Sequence, residues 1–359
     1  MSFGEELLSA LKPRFSTSAL THSVTQPAKK AHYTEWPHWA LPELVEVFKN
    51  RDIHAPYSHQ REVADAAFAG RDVVVATGTS SGKSLGYQLP ILTRMAEDST
   101  ACALYLTPTK ALGSDQLLAI MELTKGIDKL SSVIPSPYDG DTPTEARAGI
   151  RDHARFVFSN PDMVHMSILA AHERWTRFLR HLEFIVIDEC HSYRGVFGAH
   201  VALVLRRILR ICARYGAHPT IIGASATMND PGAHMQRLTS RVGFTEVTDD
   251  GAPTGERTIA LWEPGFIEGA EGDNGAPVRR AATTEAAEIM AATVGEGART
   301  LAFVRSRRSA EQVALHCQAE LSGALARPDF AQRIASYRAG YLAEDRRKLE
   351  KALDNGELL

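Results

Sequence analysis

The sequence predicts an α/β fold built on a parallel sheet with helices on both faces. Short apolar runs at 73–77, 102–108, 155–160, 184–189 and 220–227 alternate with longer stretches of helical periodicity. The runs lack the apolar/polar alternation of a half-exposed strand, so each is expected to be buried on both faces. The polar motifs fall just after the carboxyl ends of these runs, where open parallel sheets place their ligands.

In chain order, residues 1 to about 35 mix Ser, Thr, Pro and Lys without clear period and read as a loosely ordered arm. WPHWALPELVEVFKN sets Leu41, Leu44, Val45 and Phe48 at helical spacing after Pro42. SHQREVADAAFAG is a second helix stopped by Gly70, before the strand RDVVVAT. SLGYQLPILTRMAE and AHVALVLRRILRICARYG are helical stretches between the later strands. From about Thr245 a Gly-, Pro- and acid-rich segment containing the strand-like RTIALWEP reads as a linker. A second α/β unit follows: helix EAAEIMAATV, strand RTLAFVRS, helix SAEQVALHCQAEL and helix EDRRKLEKALDNG. The expected division is an arm and helix at 1–50, a first domain at 51–245, a linker at 246–280 and a partial second domain at 281–359.

The 359 residues exceed one ordinary core. Hydrophobic residues at 44% and charged residues at 23% are those of a globular protein. No apolar run approaches the ~20 residues of a membrane span. The opening MSFGEELLSALKPRF has two glutamates and no small-residue cleavage site, so a cytoplasmic location without membrane association is expected. A net charge of -3 leaves nucleic-acid binding to a local basic face. Cys102, Cys190, Cys212 and Cys317 form no C-x-x-C pair, and Cys102 is expected to fill a strand core. His54 and His59 lack partners at ligand spacing and are assigned no metal.

The chemistry begins in RDVVVATGTSSGKS. A strand, a turn of Thr77, Gly78, Thr79, Ser80, Ser81 and Gly82, and a helix opening at Lys83 and Ser84 would aim backbone N–H groups at a phosphate. The usual pattern wants glycine where Thr77 stands, so this stretch alone also reads as a plain strand-to-helix turn. Downstream, FIVIDECHS ends an apolar run with Asp188, Glu189, Cys190 and His191. One carboxylate there can hold magnesium while its neighbour orients or deprotonates an attacking water. Together the two motifs specify a nucleoside triphosphatase.

DECH, GASAT at 223–227, TPTKAL at 107–112 and SHQ at 58–60 resemble the motifs of superfamily two DExH-box helicases. ATGTSSGKS, LTPTKALGSDQ, HSYRGVFGAHV and TLAFVRSRRSAE are similar in particular to MrfA-like bacterial DNA helicases, relatives of RecQ-type repair helicases. The resemblance runs from about Trp36 to Leu359, and in that subfamily Gly78 is ordinary wording. It implies tandem RecA-like, P-loop NTPase domains and ATP with Mg2+ as cofactors. It also implies 3′-to-5′ unwinding of single-stranded or partly duplex DNA, in DNA repair.

Carried over by position, Gln60 resembles the glutamine that reads adenine, Lys83 the phosphate lysine, and Ser84 and Asp188 the magnesium residues. Glu189 matches the catalytic base, while His191, Ser225 and Thr227 match residues coupling nucleotide state to nucleic-acid grip. Thr107, Pro108 and Lys110 match a loop that holds the nucleic-acid backbone. Asn160-Pro161-Asp162 occupies the place of a second such loop, and Arg305 and Ser306 that of a contact on the second domain. Arg206, Arg207, Arg210 and Arg214 are read as a solvated helix flank, and Trp36 and Trp39 as a packing staple. A DEAD-box RNA helicase is the enzyme alternative, disfavoured by His191 and by TPTKAL; a non-catalytic ATP- and DNA-binding fragment is the other. Nothing after Tyr341 resembles the arginine-bearing late motif of the second domain, so a helicase lacking its carboxyl-terminal portion, with weak turnover by itself, is expected.

Overall fold

The computed structural model describes residues 3–15, 19–272 and 275–359, and the chain forms two compact units. One is Lys29–Thr254; the other joins Met1–Ala28 to Gly255–Leu359.

The unit Lys29–Thr254 is built on a seven-stranded sheet. Across it the strands run Pro135–Pro137, Phe156–Ser159, Cys102–Leu106, Leu182–Ile187, Thr220–Ser225, Val73–Ala76 and Thr245–Val247. Every adjacent pair is parallel, for example Leu104 beside Val157 and Ile185, and Val74 beside Gly223. The core alternates with the pleat. Val73, Val75, Tyr105, Phe156 and Val186 enter one buried cluster, and Val74, Leu104, Val157, Ile185 and Ile187 the cluster on the opposite face. That two-sided burial is why the runs carry no polar alternation.

The five central strands coincide with the apolar runs of the sequence. The two edge strands have only three residues each. Pro135–Pro137 carries two prolines, which only an edge tolerates, and Thr245–Val247 lies where the linker is expected to begin. Helices Pro42–Lys49, Ser58–Phe68, Ser84–Glu97 and Gly195–Arg214 form where the periodicity places them. Gly70 follows the second with φ 73°, a left-handed stop open to glycine. Trp39 stacks on Phe68 at 4.0 Å and Trp36 on Phe48 at 5.6 Å, the expected staple. Arg206 and Arg207 donate to the carbonyls of Arg237 and Leu169. Cys102 is fully buried, and burial pushes its thiol up to about 11, an inert core cysteine.

In the other unit, two stretches differ from the sequence reading. The expected loose arm contains the helix Phe3–Leu11 and the strand Leu20–Gln26, which pairs antiparallel with Arg257–Trp262. Phe15 meets Trp262 edge-on at 5.0 Å, and Leu11, Ala19 and Ala292 close a small core around them. Residues 1–2 and 16–18 of that arm, and 273–274 of the expected linker, lie outside the described residues. The linker also holds the hairpin of Phe266–Glu271 with Pro277–Arg279.

Helices Ala282–Gly295, Arg307–Ser322 and Ala343–Asp354 form as expected, but TLAFV makes no strand. Ala302 and Val304 pack against the helices, whereas Leu301 is 66% and Phe303 94% exposed. The period-2 pattern is kept, yet no described strand lies beside this segment to complete a ladder. Among the described residues, no helix is long and apolar enough to cross a membrane.

Candidate functional site

Parallel strands bring the motifs to one edge of the sheet. Reading across the carboxyl ends, the order is Asn160, Thr107, Asp188, Ala226 and Thr77. At ~4.8 Å per strand this row spans roughly 19 Å.

At one end of the row, Val73–Ala76 leads through Thr77–Gly82 into the helix Ser84–Glu97. Ser80 and Gly82 take φ of 62° and 74°, turning the loop so that successive amides form a concavity suited to an anion. A Cβ at Gly82 would sit 2.6 Å from Gln60 Nε2 and would push that amide aside. Thr77 Oγ1 and Ser81 Oγ share a hydrogen bond of 2.8 Å, and Lys83 Nζ donates to Gly78 O at 2.7 Å. Burial lowers the Lys83 pKa, while the carboxylates of Glu189, Asp188 and Asp250 act against that.

Gln60 accepts from Tyr57 N at 2.8 Å and donates to Gly82 O at 2.8 Å, so its amide ties the helix Ser58–Phe68 to the loop. A cavity of about 740 Å³ opens beside it, lined by Tyr33, Tyr57, Gln60, Ser80, Ser81 and Gly82. The rings of Tyr33 and Tyr57 lie 5.1 Å apart. Thr79 is exposed at the rim of the loop.

Two strands away, Asp188 N donates to Leu106 O at 2.8 Å, the last rung before the chain leaves the sheet. One Asp188 oxygen accepts from Glu189 N at 2.9 Å and the other from the Tyr105 hydroxyl. Burial raises the Asp188 pKa; the two hydrogen bonds and the charge on Lys83 oppose the shift. Glu189 follows with φ 48°, a left-handed backbone that a non-glycine residue holds only where its surroundings impose it.

His191 lies between two motifs. Its Nε2 is 3.3 Å from Glu189 Oε2, and its Nδ1 is 3.2 Å from Ser225 Oγ and 3.4 Å from the amide of Ala226. Since the Ala226 N–H donates to Nδ1, Nε2 carries the proton that faces Glu189. The single hydrogen of the Ser225 hydroxyl can go either to this Nδ1 or to Ala226 O, at 2.7 Å. Thr227, just beyond, is exposed.

At the other end of the row, Thr107 is buried with no hydrogen-bond partner for Oγ1 among the described residues. Pro108 follows, and exposed Lys110 pairs with Asp141 at 2.6 Å. Asn160 Oδ1 accepts from Met163 N at 2.9 Å, capping the turn Pro161–Met163 that holds Asp162. Arg305 and Ser306 lie in the other unit, where Ser306 caps the helix Arg307–Ser322 by accepting from Ser309 N at 3.0 Å.

Three residues of the site went unread in the sequence. Tyr105 looks like a core aromatic, and only the register beside Leu182–Ile187 brings its hydroxyl to Asp188. His59 and Asp250 both touch the phosphate loop, at Ser81 O and Gly78 N. The nearest signal was the place of His59 directly before Gln60; Asp250 gave none.

Residues 57–234 match the family described as DEAD/DEAH box helicase. The chain is 37% identical over 349 residues to the ATP-dependent helicase HRQ1 of Saccharomyces cerevisiae, covering 96% of this chain and 31% of the yeast protein. It is 37% identical to the ATP-dependent helicase YprA of Bacillus subtilis, covering 89% of this chain and 42% of that one. A crystal structure of the helicase MrfA bound to DNA superposes with TM-score 0.88 at 35% identity, over all of this chain and 48% of that one. MrfA bound to DNA and AMPPNP superposes with TM-score 0.87. The chain thus spans less than half the length of each of these proteins. With its loop, carboxylate pair and histidine on one edge of a parallel sheet, the chain carries a DEAD/DEAH box helicase domain at residues 57–234 and is MrfA- and Hrq1-like along nearly its whole length.

Proposed function

We propose that this chain binds and hydrolyses ATP and grips DNA as part of a helicase that moves along the strand. The observation that carries the reading is the contact chain Glu189–His191–Ser225, which joins a candidate base beside the phosphate loop to the next strand end. A change in what Glu189 faces is thereby passed to the loop after Ser225.

In this reading the Thr77–Gly82 amides and Lys83 hold the phosphates, and Tyr33, Tyr57 and Gln60 line the space for the base. Glu189 accepts the proton of the attacking water. The residues present fit Mg2+: Ser84 opens the helix beside the loop and Asp188 supplies one carboxylate, the sparse protein donor set that magnesium takes together with phosphates. Bound there, the ion would neutralise charge on the phosphates. Thr107, Pro108, Lys110, Asn160 and Pro161 take the strand backbone, and Arg305 and Ser306 are assigned a nucleic-acid contact of their own unit. Movement 3′ to 5′, a repair role and a cytoplasmic location belong to the same proposal.

The test is nucleotide binding and turnover by the purified chain. A fluorescent ATP analogue should bind with Mg2+ and lose affinity in EDTA. K83A should abolish that binding, and E189Q should keep binding but reduce any turnover at least a hundredfold. Single-stranded DNA should stimulate turnover more than RNA of the same length. Wild-type protein that binds neither the nucleotide nor DNA overturns the reading, and preferential RNA stimulation replaces DNA by RNA as the substrate.

A further inference from the structure

Asp250 lies outside every motif and His59 has no role assigned within SHQ, yet both hold the backbone of the phosphate loop. Asp250 Oδ2 accepts from Gly78 N at 3.0 Å, and its Oδ1 accepts from Ala252 N at 2.9 Å. His59 is fully buried. Gly251 N donates to its Nδ1 at 3.1 Å, so Nε2 bears the proton and donates to Ser81 O at 3.0 Å. His59 Nδ1 and Asp250 Oδ1 are 3.7 Å apart, a spacing that would suit an ion pair. Burial lowers the histidine pKa and both nitrogens are already used in the neutral form, so the contact is polar rather than ionic.

The segment bearing Asp250 is where the chain leaves this unit. The chain enters at Lys29 and departs at Thr254, and these two residues exchange both backbone hydrogen bonds, at 2.9 and 3.0 Å. His32 N donates to Gly251 O at 2.8 Å, and Lys29 Nζ donates to Asp250 O. Gly251 is seated so closely that a Cβ would lie 2.3 Å from Ser58 Oγ and 3.1 Å from Ser58 N. The entering and departing strands therefore form one tied tether, and Asp250 and His59 link it to the loop at Gly78 and Ser81.

We propose that Asp250, acting with His59, is a positioning residue of the nucleotide site: it holds the phosphate loop against the two-stranded tether, so that triphosphate binding is felt where the chain crosses to its other unit. The inference rests on the ATP reading above. Holding the loop in place before the ligand arrives removes an ordering cost from binding. The loss should fall on ligands that need the whole loop.

The test uses the full chain, with fluorescent ATP and AMP analogues and AMPPNP. D250A should weaken the ATP analogue about tenfold, the size of one lost hydrogen bond to a charged group, while the AMP analogue changes less than twofold. D250N, whose amide oxygen still accepts from Gly78 N, should bind the ATP analogue within about threefold of wild type, a rescue that a general structural role or a pure charge effect does not give. H59Q, which keeps a donor for Ser81 O, should rescue relative to H59L in the same way. If D250A does not fold, the H59L and H59Q pair decides the question. By hydrogen exchange, saturating AMPPNP should slow the amides of Lys29, His32 and Thr254 in wild type and leave them unchanged in D250A. Wild-type protein that fails to bind ATP overturns the ATP reading itself. Wild-type binding together with unchanged affinity in D250A, or an equal exchange response in both proteins, overturns the positioning role alone.

Discussion

His59 and His234 each give a ring nitrogen to the backbone of a motif, at Ser81 O and at Cys190 O, the latter at 2.8 Å. Burial lowers the pKa of both from the ordinary 6.5. Below that value the unfolded chain takes up protons that the folded chain excludes, so stability falls as pH drops from about 7.5 toward 5.5. Melting curves across that range should show a falling Tm in wild type and a shallower fall in H59Q and H234Q; equal slopes in all three would place the acid sensitivity elsewhere. The motif residues themselves were legible because their chemistry is written in neighbouring positions: Lys83 beside Ser84, Asp188 beside Glu189. His59 was not, because its significance lies in the Ser81 carbonyl and the Gly251 amide, which come to it through the fold.

The central strands were legible as elements because burial on both faces leaves an unbroken apolar run. The edges were not, since three residues with two prolines give no periodicity to detect. Burial also sets the energetic contrast between elements. Phe156 is fully buried in the central sheet, so F156A should lose about 3–5 kcal/mol in urea denaturation. Phe303 is 94% exposed, so F303S should change stability by no more than about 0.5 kcal/mol. A large loss in F303S would mean that the segment Leu301–Val304 is covered in solution. G251A should lose about 1–3 kcal/mol, because its methyl meets backbone as well as the Ser58 hydroxyl.

At the scale of the molecule, the amino-terminal strand Leu20–Gln26 finds its partner in Arg257–Trp262, far downstream, so one unit is assembled from both ends of the chain. Each unit has its own buried clusters. Calorimetry should therefore resolve two transitions, and the excised Lys29–Thr254 fragment should reproduce one of them. A single transition in the intact chain, lost altogether in the fragment, would show that the units fold only together.

The sequence by itself determined the α/β class, the five central strands, the order of the motifs and their resemblance to a helicase. All of these are carried by local apolar period or by adjacent reactive residues. Only the tertiary structure decided the edges of the sheet, the pairing of the amino-terminal strand, the exposure of Leu301 and Phe303 and the hold of Asp250 and His59 on the phosphate loop. Those depend on which distant segments supply hydrogen-bond partners, and a backbone amide or carbonyl looks the same in every residue until the fold brings its partner to it.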